Sequence, residues 1–213
     1  MKKVILKNTL PAKKIAVHFL FFVIAFLISS CGFGSSGNSE ENVISSAGND
    51  TIKKQPPAIG DTIAGKVVAV IDGDTYDVLV PGDTTLRVRM EGIDAPEKGM
   101  AFNKVAKKYL SDLCFGKNVN VLVTGIDGHR RVLGFTFVDD TLELSHEMIK
   151  AGYAWHFKKY SKDTDLAALE QDARKAEKGL WFDKNPIAPW EFRKLMRQGN
   201  TAEEIYREHN KNQ

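Results

Sequence analysis

Five short runs rich in β-branched and aromatic residues, with one amphipathic stretch between the third and the fourth, constrain the fold of this chain more than any other feature. Lys66–Ile71 (KVVAVI) and Tyr76–Val80 (YDVLV) are joined through Asp72-Gly73-Asp74-Thr75, residue types that turn a chain readily. Leu86–Met90 alternates, with Leu86, Val88 and Met90 on one side and Arg87 and Arg89 on the other, the period of a half-buried strand. Asn118–Val123 and Gly134–Val138 supply the fourth and fifth runs. Between the third and fourth, Phe102, Val105, Ala106, Tyr109, Leu110 and Leu113 recur at helical spacing, which predicts a helix over 102–114 with Gly116 as its C-cap. Further helices are expected over 145–151, stopped by Gly152, and over 164–178, with Leu166, Leu169, Ala173 and Ala176 turned inward. The order β-β-β-α-β-β-α-α predicts a mainly β chain with helices (α+β), a five-stranded OB-type Greek-key barrel with three helices. Residues 194–213 are polar and only marginally helical in pattern.

Composition narrows the class. The 213 residues suit one domain, or one domain with extensions. With 43% hydrophobic and 27% charged residues, the chain is not wholly disordered, collagen-like or a polytopic membrane protein. Two cysteines exclude a disulfide-dense scaffold and a Cys-rich zinc site. The formal charge of +3 is unevenly placed. Residues 1–31 carry five lysines and no acid, and removing those five from thirty leaves 25 basic against 27 acidic residues. The basic balance therefore belongs to the N-terminus and gives no argument for nucleic-acid binding by the folded part.

That N-terminus reads as an address. Lys2, Lys3, Lys7, Lys13 and Lys14 precede the apolar run Ile15–Ile28, which is shorter than the ~20 residues of a bilayer span. A basic segment, a short apolar segment and then small residues describe a secretory signal over residues 1–30. Ile28-Ser29-Ser30-Cys31 resembles the lipobox of bacterial lipoproteins, which makes Cys31 the lipidation site and the membrane a partner through its acyl chains. Residues 31–60, dominated by Gly, Ser, Asn and Pro, read as a flexible tether. The domain is expected over 61–193, with 194–213 a polar extension. Cys114 lies in the apolar stripe of the first helix and is expected to be a packed thiol.

Three acids stand out: Asp74 at a strand start, and Asp94 and Glu97 just after another strand, in Arg89-Met-Glu-Gly-Ile-Asp94-Ala-Pro-Glu97. Pairing of the second and third strands would bring them together. Carboxylates so placed repel unless a cation neutralises them, and oxygen donors alone select hard ions, Ca²⁺ or Mg²⁺. Nearby arginines offer planar forks that match phosphate oxygens. Each piece also has a plain structural use: Asp72-Gly73 as a turn, Asp94 and Glu97 as helix-start acids, and Arg87 and Arg89 as a solvated strand face.

Together and in this order, the motifs resemble the thermonuclease (staphylococcal nuclease-like) family. The matching segments are Val70-Ile-Asp-Gly-Asp-Thr75, Arg89–Glu97, Arg131-Val-Leu-Gly134, Gly152-Tyr-Ala-Trp-His156 and Gly179-Leu-Trp181, and the likeness spans about residues 63–193. It implies a five-stranded OB barrel with three helices and Ca²⁺-dependent hydrolysis of DNA and RNA. Carried over by position, Asp74 and Asp94 are the metal-binding aspartates. Ala95 offers a backbone carbonyl where the founding member has threonine. Glu97 takes the place of the base that activates water, and Arg89 and Arg131 those of the phosphate-binding arginines. Tyr160 and Lys158 fall on the two nucleotide-stacking tyrosines, the second of them replaced. Arg130 stands where the family usually has glycine, and His129 where an aromatic neighbour is frequent. Arg87 has no family role.

The expected function is that of a Ca²⁺-dependent endonuclease acting on DNA or RNA, anchored in the cell envelope and facing the periplasm or the exterior. The chain is expected to be a monomer that needs no protein partner. Local cations, namely Arg89, Arg130, Arg131, Lys158 and Lys159, would supply the affinity for phosphate. His129 and His156 are read as surface or packing residues, and Trp155, Trp181 and Trp190 as core or helix-packing residues. The alternative is a non-catalytic OB-fold lipoprotein that holds nucleic acid without cutting it, or one with a purely structural role. The retention of Asp74, Asp94 and Glu97 with both arginines favours catalysis.

Overall fold

A computed structural model of the chain describes residues 56–211. The signal, Cys31 and most of the tether lie outside the described residues. None of the described helices is long and apolar enough to cross a membrane.

The barrel is built from β1 (Thr62–Val70), β2 (Thr75–Val80), β3 (Thr84–Met90), β5 (Asn118–Ile126) and β6 (Val132–Val138), in the order β3-β2-β1-β5-β6. All neighbours are antiparallel. A parallel pairing of β3 with β6, with Val88, Met90 and Arg89 opposite Val132, Gly134 and Leu133, closes the sheet on itself. Closure removes the free edges that an open sheet of this size would expose. The alternation of β3 continues around the barrel: Val67, Val78, Val88, Val121, Val123, Val132 and Val138 all lie inside. Tyr76 is fully buried among them, its hydroxyl hydrogen-bonded to that of Thr136.

The expected strands are all present, with β1, β5 and β6 longer than the runs because their ends pair with one another: Thr62–Gly65 with Val119–Leu122, and Val132 and Leu133 with Ile126 and Gly125. Three strands of two residues were not foreseen: β4 (Ile93–Asp94), β7 (Leu142–Glu143) and β8 (Trp155–His156). β4 and β8 pair with each other, Asp94 opposite Trp155. The expected helices appear as α1 (Asn103–Cys114), α2 (Leu144–Lys150) and α3 (Thr164–Lys175). Ala106, Leu110 and Cys114 of α1 are buried in the main core. The Cys114 thiol donates to the carbonyl of Leu110, and burial pushes its pKa up to about 12.

Two further helices correct the expected count of three. These are α4 (Pro189–Arg197) and α5 (Ala202–Lys211); α5 and the end of α4 lie in the polar, marginally helical stretch 194–213, and the division expected at residue 193 falls inside α4. Each turns only a narrow apolar edge inward. Phe192 and Ile205 bury with Met100 and Ile187 in a second small core, and the Tyr206 hydroxyl accepts a hydrogen bond from the Ala101 N–H at 2.7 Å. Pro189 begins α4, where its missing N–H costs nothing. The two helices are thereby fastened beside the 94–102 segment that carries the predicted acids.

Candidate active site

The Asp72–Thr75 turn between β1 and β2 delivers the first acid. Gly73 is buried, and a Cβ there would stand 2.7 Å from the Ala95 Cβ and 3.0 Å from that of Ala106. Only a glycine lets the turn lie this close to the 94–96 segment and α1. The approach brings Asp74 Oδ2 within 2.7 Å of the Ala95 N–H, while Thr75 Oγ1 donates to Asp74 Oδ1 at 3.0 Å. Pairing of β2 with β3 sets Thr75 opposite Arg89. The Arg89 guanidinium then reaches both aspartates, with Nη2 3.1 Å from Asp74 Oδ2 and 3.1 Å from Asp94 Oδ1. Its Nη1 donates to the carbonyls of Met90 and Ile93, each at 2.9 Å. Asp74 and Asp94 are 5% and 1% exposed, so Arg89 is a counter-charge fixed by backbone rather than a mobile surface residue.

Above this floor opens a cleft of about 930 Å³, whose walls include Glu97, Arg131, Tyr160 and His129. Arg131 comes from the loop between β5 and β6. Its Nε donates to Asp127 Oδ2 at 2.8 Å, and Asp127 Oδ1 accepts the backbone N–H groups of His129 and Arg131 at 2.8 and 3.0 Å. Burial alone would push the Asp127 carboxyl up; these bonds outweigh it and hold its pKa below the ordinary value. Arg130 is exposed at a φ of 64°, the left-handed region that glycine fills without strain. Arg131 lines the cleft and Arg130 does not. Arg87 also reaches the rim, but its guanidinium is engaged with Asp77 across the strand pair at 2.8 and 3.0 Å.

The sequence reading missed one residue at the centre. Arg193 of α4 reaches into the cleft, where Nη2 donates to Asp94 Oδ2 at 2.7 Å and Nη1 to Glu97 Oε1 at 2.5 Å and Asp94 Oδ1 at 3.1 Å. Burial pushes the pKa of Asp94 up, against the hydrogen bonds from Arg193 that draw it down. Burial disfavours the Arg193 charge too, but its bonds to Asp94 and Glu97 outweigh this and raise its pKa. Asp72, a turn residue by its sequence, also lines the cleft, and burial together with the Asp74 charge pushes its pKa up to about 6. The available signal for Arg193 was Pro189 opening a helix next to Trp190 and Phe192.

The remaining predicted residues are distributed around this centre. Tyr160 is exposed at the mouth, its ring edge-on to Phe157 with centroids 4.8 Å apart. Lys158 lies further out, paired at 2.8 Å with the buried Glu170 of α3. His156 is 3% exposed with Nε2 3.1 Å from Ser161 Oγ, a packing histidine as expected. Trp155 and Trp181 are buried edge to face. Trp190 departs from the core reading: it is 40% exposed and stacked on Phe157.

Comparison with known proteins agrees with this geometry. Residues 87–183 match the staphylococcal nuclease homologue family. An endonuclease of Haemophilus influenzae, itself uncharacterized, is 40% identical over 129 residues, covering 61% of this chain and 72% of the relative. A micrococcal nuclease of Shigella flexneri is 38% identical over 148 residues, covering 65% and 84%. A probable staphylococcal-like nuclease of Oryza sativa subsp. japonica is 40% identical over 139 residues, covering 63% and 38%. On the strength of these matches, of the closed five-stranded barrel and of the acids and arginines gathered at its mouth, the chain belongs to the staphylococcal nuclease family and is a nuclease.

Proposed function

We propose that the chain is a Ca²⁺-dependent endonuclease that hydrolyses the phosphodiester bonds of DNA, RNA or both. The supporting observation is that Arg89 bridges Asp74 and Asp94 in the floor of a cleft whose walls hold Glu97 and Arg131. In this reading Arg89 and Arg131 grip the phosphate and stabilise the charge that grows on it as the five-coordinate transition state forms. Glu97 takes the proton of the attacking water. Arg193 donates to both Asp94 and Glu97 and so sets a positive charge beside the two carboxylates.

The family implies Ca²⁺, and the donor chemistry suits it. The carboxylates of Asp74 and Asp94 and the carbonyl of Ala95 offer oxygen alone, the preference of a hard cation. Two buried carboxylates also demand positive charge. Arg89 and Arg193 supply that charge, and among the described residues no three His, Cys, Asp or Glu side chains are grouped to hold an ion. A cation at Asp94 therefore requires the Arg193 guanidinium to turn aside. Bound there, Ca²⁺ would supply Lewis-acid polarisation of the phosphate.

The reading includes the location. Cys31 carries lipid and becomes the mature N-terminus, and the tether holds a monomeric domain at the outer side of a membrane. Intact mass of the membrane-extracted protein should show loss of residues 1–30 with added acyl mass; a product that starts elsewhere contradicts this part. For the activity, plasmid DNA and a homopolymeric RNA are incubated with the full chain in detergent. Cleavage is expected with Ca²⁺ and not with chelator. Cleavage unaffected by chelator contradicts the metal assignment, and no cleavage of either substrate contradicts the reading as a whole.

A further inference from the structure

Beside the active cleft lies a second one, of about 660 Å³, and the two share Phe157, Tyr160, Arg193 and Arg197 as walls. One side of the second cleft is the 157–160 segment that follows β8. The other is a single face of α4: Trp190, Arg193, Lys194 and Arg197. Their spacing, i, i+3, i+4 and i+7, places them along one helical stripe, while Phe192 and Leu195 turn the opposite side into the small core. The helix is thus amphipathic in an unusual sense: one edge anchors it and the other is aromatic and cationic.

The aromatic parts are arranged as a platform. The Phe157 and Trp190 rings are stacked at 5.5 Å and 2° between planes, and Tyr160 stands edge-on to Phe157. Trp190 and Tyr160 are nevertheless 40% and 67% exposed. Around them the lining cations Lys158, Lys159, Arg174, Arg193, Lys194 and Arg197 face one acid, Glu170. Glu170 is shared by Lys158 and Arg174, and Arg193 is committed to Asp94 and Glu97. Among the described residues, Lys194 and Arg197 form no salt bridge. The domain as a whole is not basic, so this local excess is not a consequence of composition. Exposed rings on which bases can stack, interleaved with cations spaced along a groove, are what a single strand requires. A duplex keeps its bases stacked inside and would leave the rings unused.

We propose that this second cleft is a subsite for single-stranded polynucleotide, continuous with the catalytic cleft, in which α4 supplies Trp190 as a base platform and Lys194 and Arg197 as phosphate contacts. The subsite deepens the nuclease reading and rests on it for its purpose: it holds the strand beyond the scissile phosphate. α4 therefore serves both clefts, with Arg193 and Arg197 as shared walls and Trp190 and Lys194 in the second alone.

The test is binding of fluorescein-labelled twelve-residue oligothymidylate to the full chain in detergent and chelator, followed by anisotropy. Trp190→Ala is expected to weaken binding roughly 5- to 150-fold, and Trp190→Phe, which keeps a ring, much less. The double variant Lys194→Ala/Arg197→Ala is expected to weaken it too and to reduce the slope of log Kd against log salt by about 1.4. The double variant touches no core residue, so it remains informative if Trp190→Ala fails to fold. Unchanged affinity and unchanged salt slope in the folded double variant would overturn the subsite, as would a twelve-base-pair duplex that binds equally well and loses as much. Adding Ca²⁺ then reports on the parent reading separately. Weakened binding in the variants with no turnover by the wild type sinks the nuclease mechanism and leaves the subsite standing. Normal turnover with unchanged binding does the reverse.

Discussion

Arg130 and Arg131 are neighbours in sequence and opposite in circumstance. Arg131 lines the candidate active cleft with its guanidinium held by Asp127, whereas Arg130 is exposed on a left-handed backbone. Arg131→Lys keeps the charge and loses the fork, so kcat on DNA should fall by roughly 10²–10³. Arg130→Gly should leave kcat unchanged and stabilise the chain by about 1 kcal/mol, since glycine relieves the positive φ. Steady-state rates and urea midpoints check both; if the Arg130 variant were the one to lose kcat, the assignment across residues 127–134 would be off by one. Arg193 makes a different prediction. Removing it leaves Asp94 and Glu97 short of positive charge, so Arg193→Ala should lower the melting temperature in chelator, and Ca²⁺ should raise it by more than in the wild type. Equal increments would show that Arg193 and the cation do not share the same carboxylates. The site was legible in sequence where its parts are local: Asp74 and Arg89 meet because β2 and β3 are adjacent strands of a hairpin. Arg193 was not, since it lies 96 and 99 residues from Glu97 and Asp94, and no period in a polar helix says which distant acids it will reach.

At the scale of elements, the junction between α2 and the turn after α3 shows how tightly two segments must fit to set β8 in place. A Cβ on Gly152 would lie 2.2 Å from the Lys178 carbonyl oxygen, and one on Gly179 2.3 Å from that of Gly152. The Leu180 N–H donates to the Gly152 carbonyl at 2.8 Å across the same contact. Both glycines have positive φ. Gly152→Ala should therefore destabilise the chain by more than the roughly 1–2 kcal/mol of a left-handed alanine alone, because backbone has to move as well; a urea midpoint within error of the wild type would contradict this close approach. Elements with a strong period were readable in advance: the valines of the barrel and, apart from the exposed Val105, the stripe of α1 declare their faces. The two-residue strands β4, β7 and β8 have no period to read. α4 and α5 are hard to read because their buried residues, Pro189 and Phe192 in one and Ile205 in the other, are too sparse a signal against polar neighbours. Their structure comes from docking against Met100 and Ile187, a tertiary effect of which Pro189 at the start of α4 is the main local trace.

Across the whole molecule, the barrel does little chemistry itself but fixes where chemistry can occur. Closure by the β3–β6 pairing puts Arg89 and Leu133 side by side, so the ends of strands distant in sequence share one rim. The 72–74 turn, the 94–97 segment and the 127–131 loop all open there, and α4 covers the same side. The result is one continuous aromatic and charged surface on a domain whose formal charge is close to balanced. Substrate affinity should accordingly depend on salt through a few defined contacts rather than through a diffuse field. On the proposed mechanism this rim cleaves phosphodiesters with Glu97 as the base. Its most direct test is kcat at saturating single-stranded DNA, in Ca²⁺, for Glu97→Gln against the wild type. The amide preserves the shape of the side chain and cannot take a proton. A loss of at least about 10² is predicted, at the lower end of what general bases contribute; a Glu97→Gln rate indistinguishable from that of the wild type would contradict that role for Glu97.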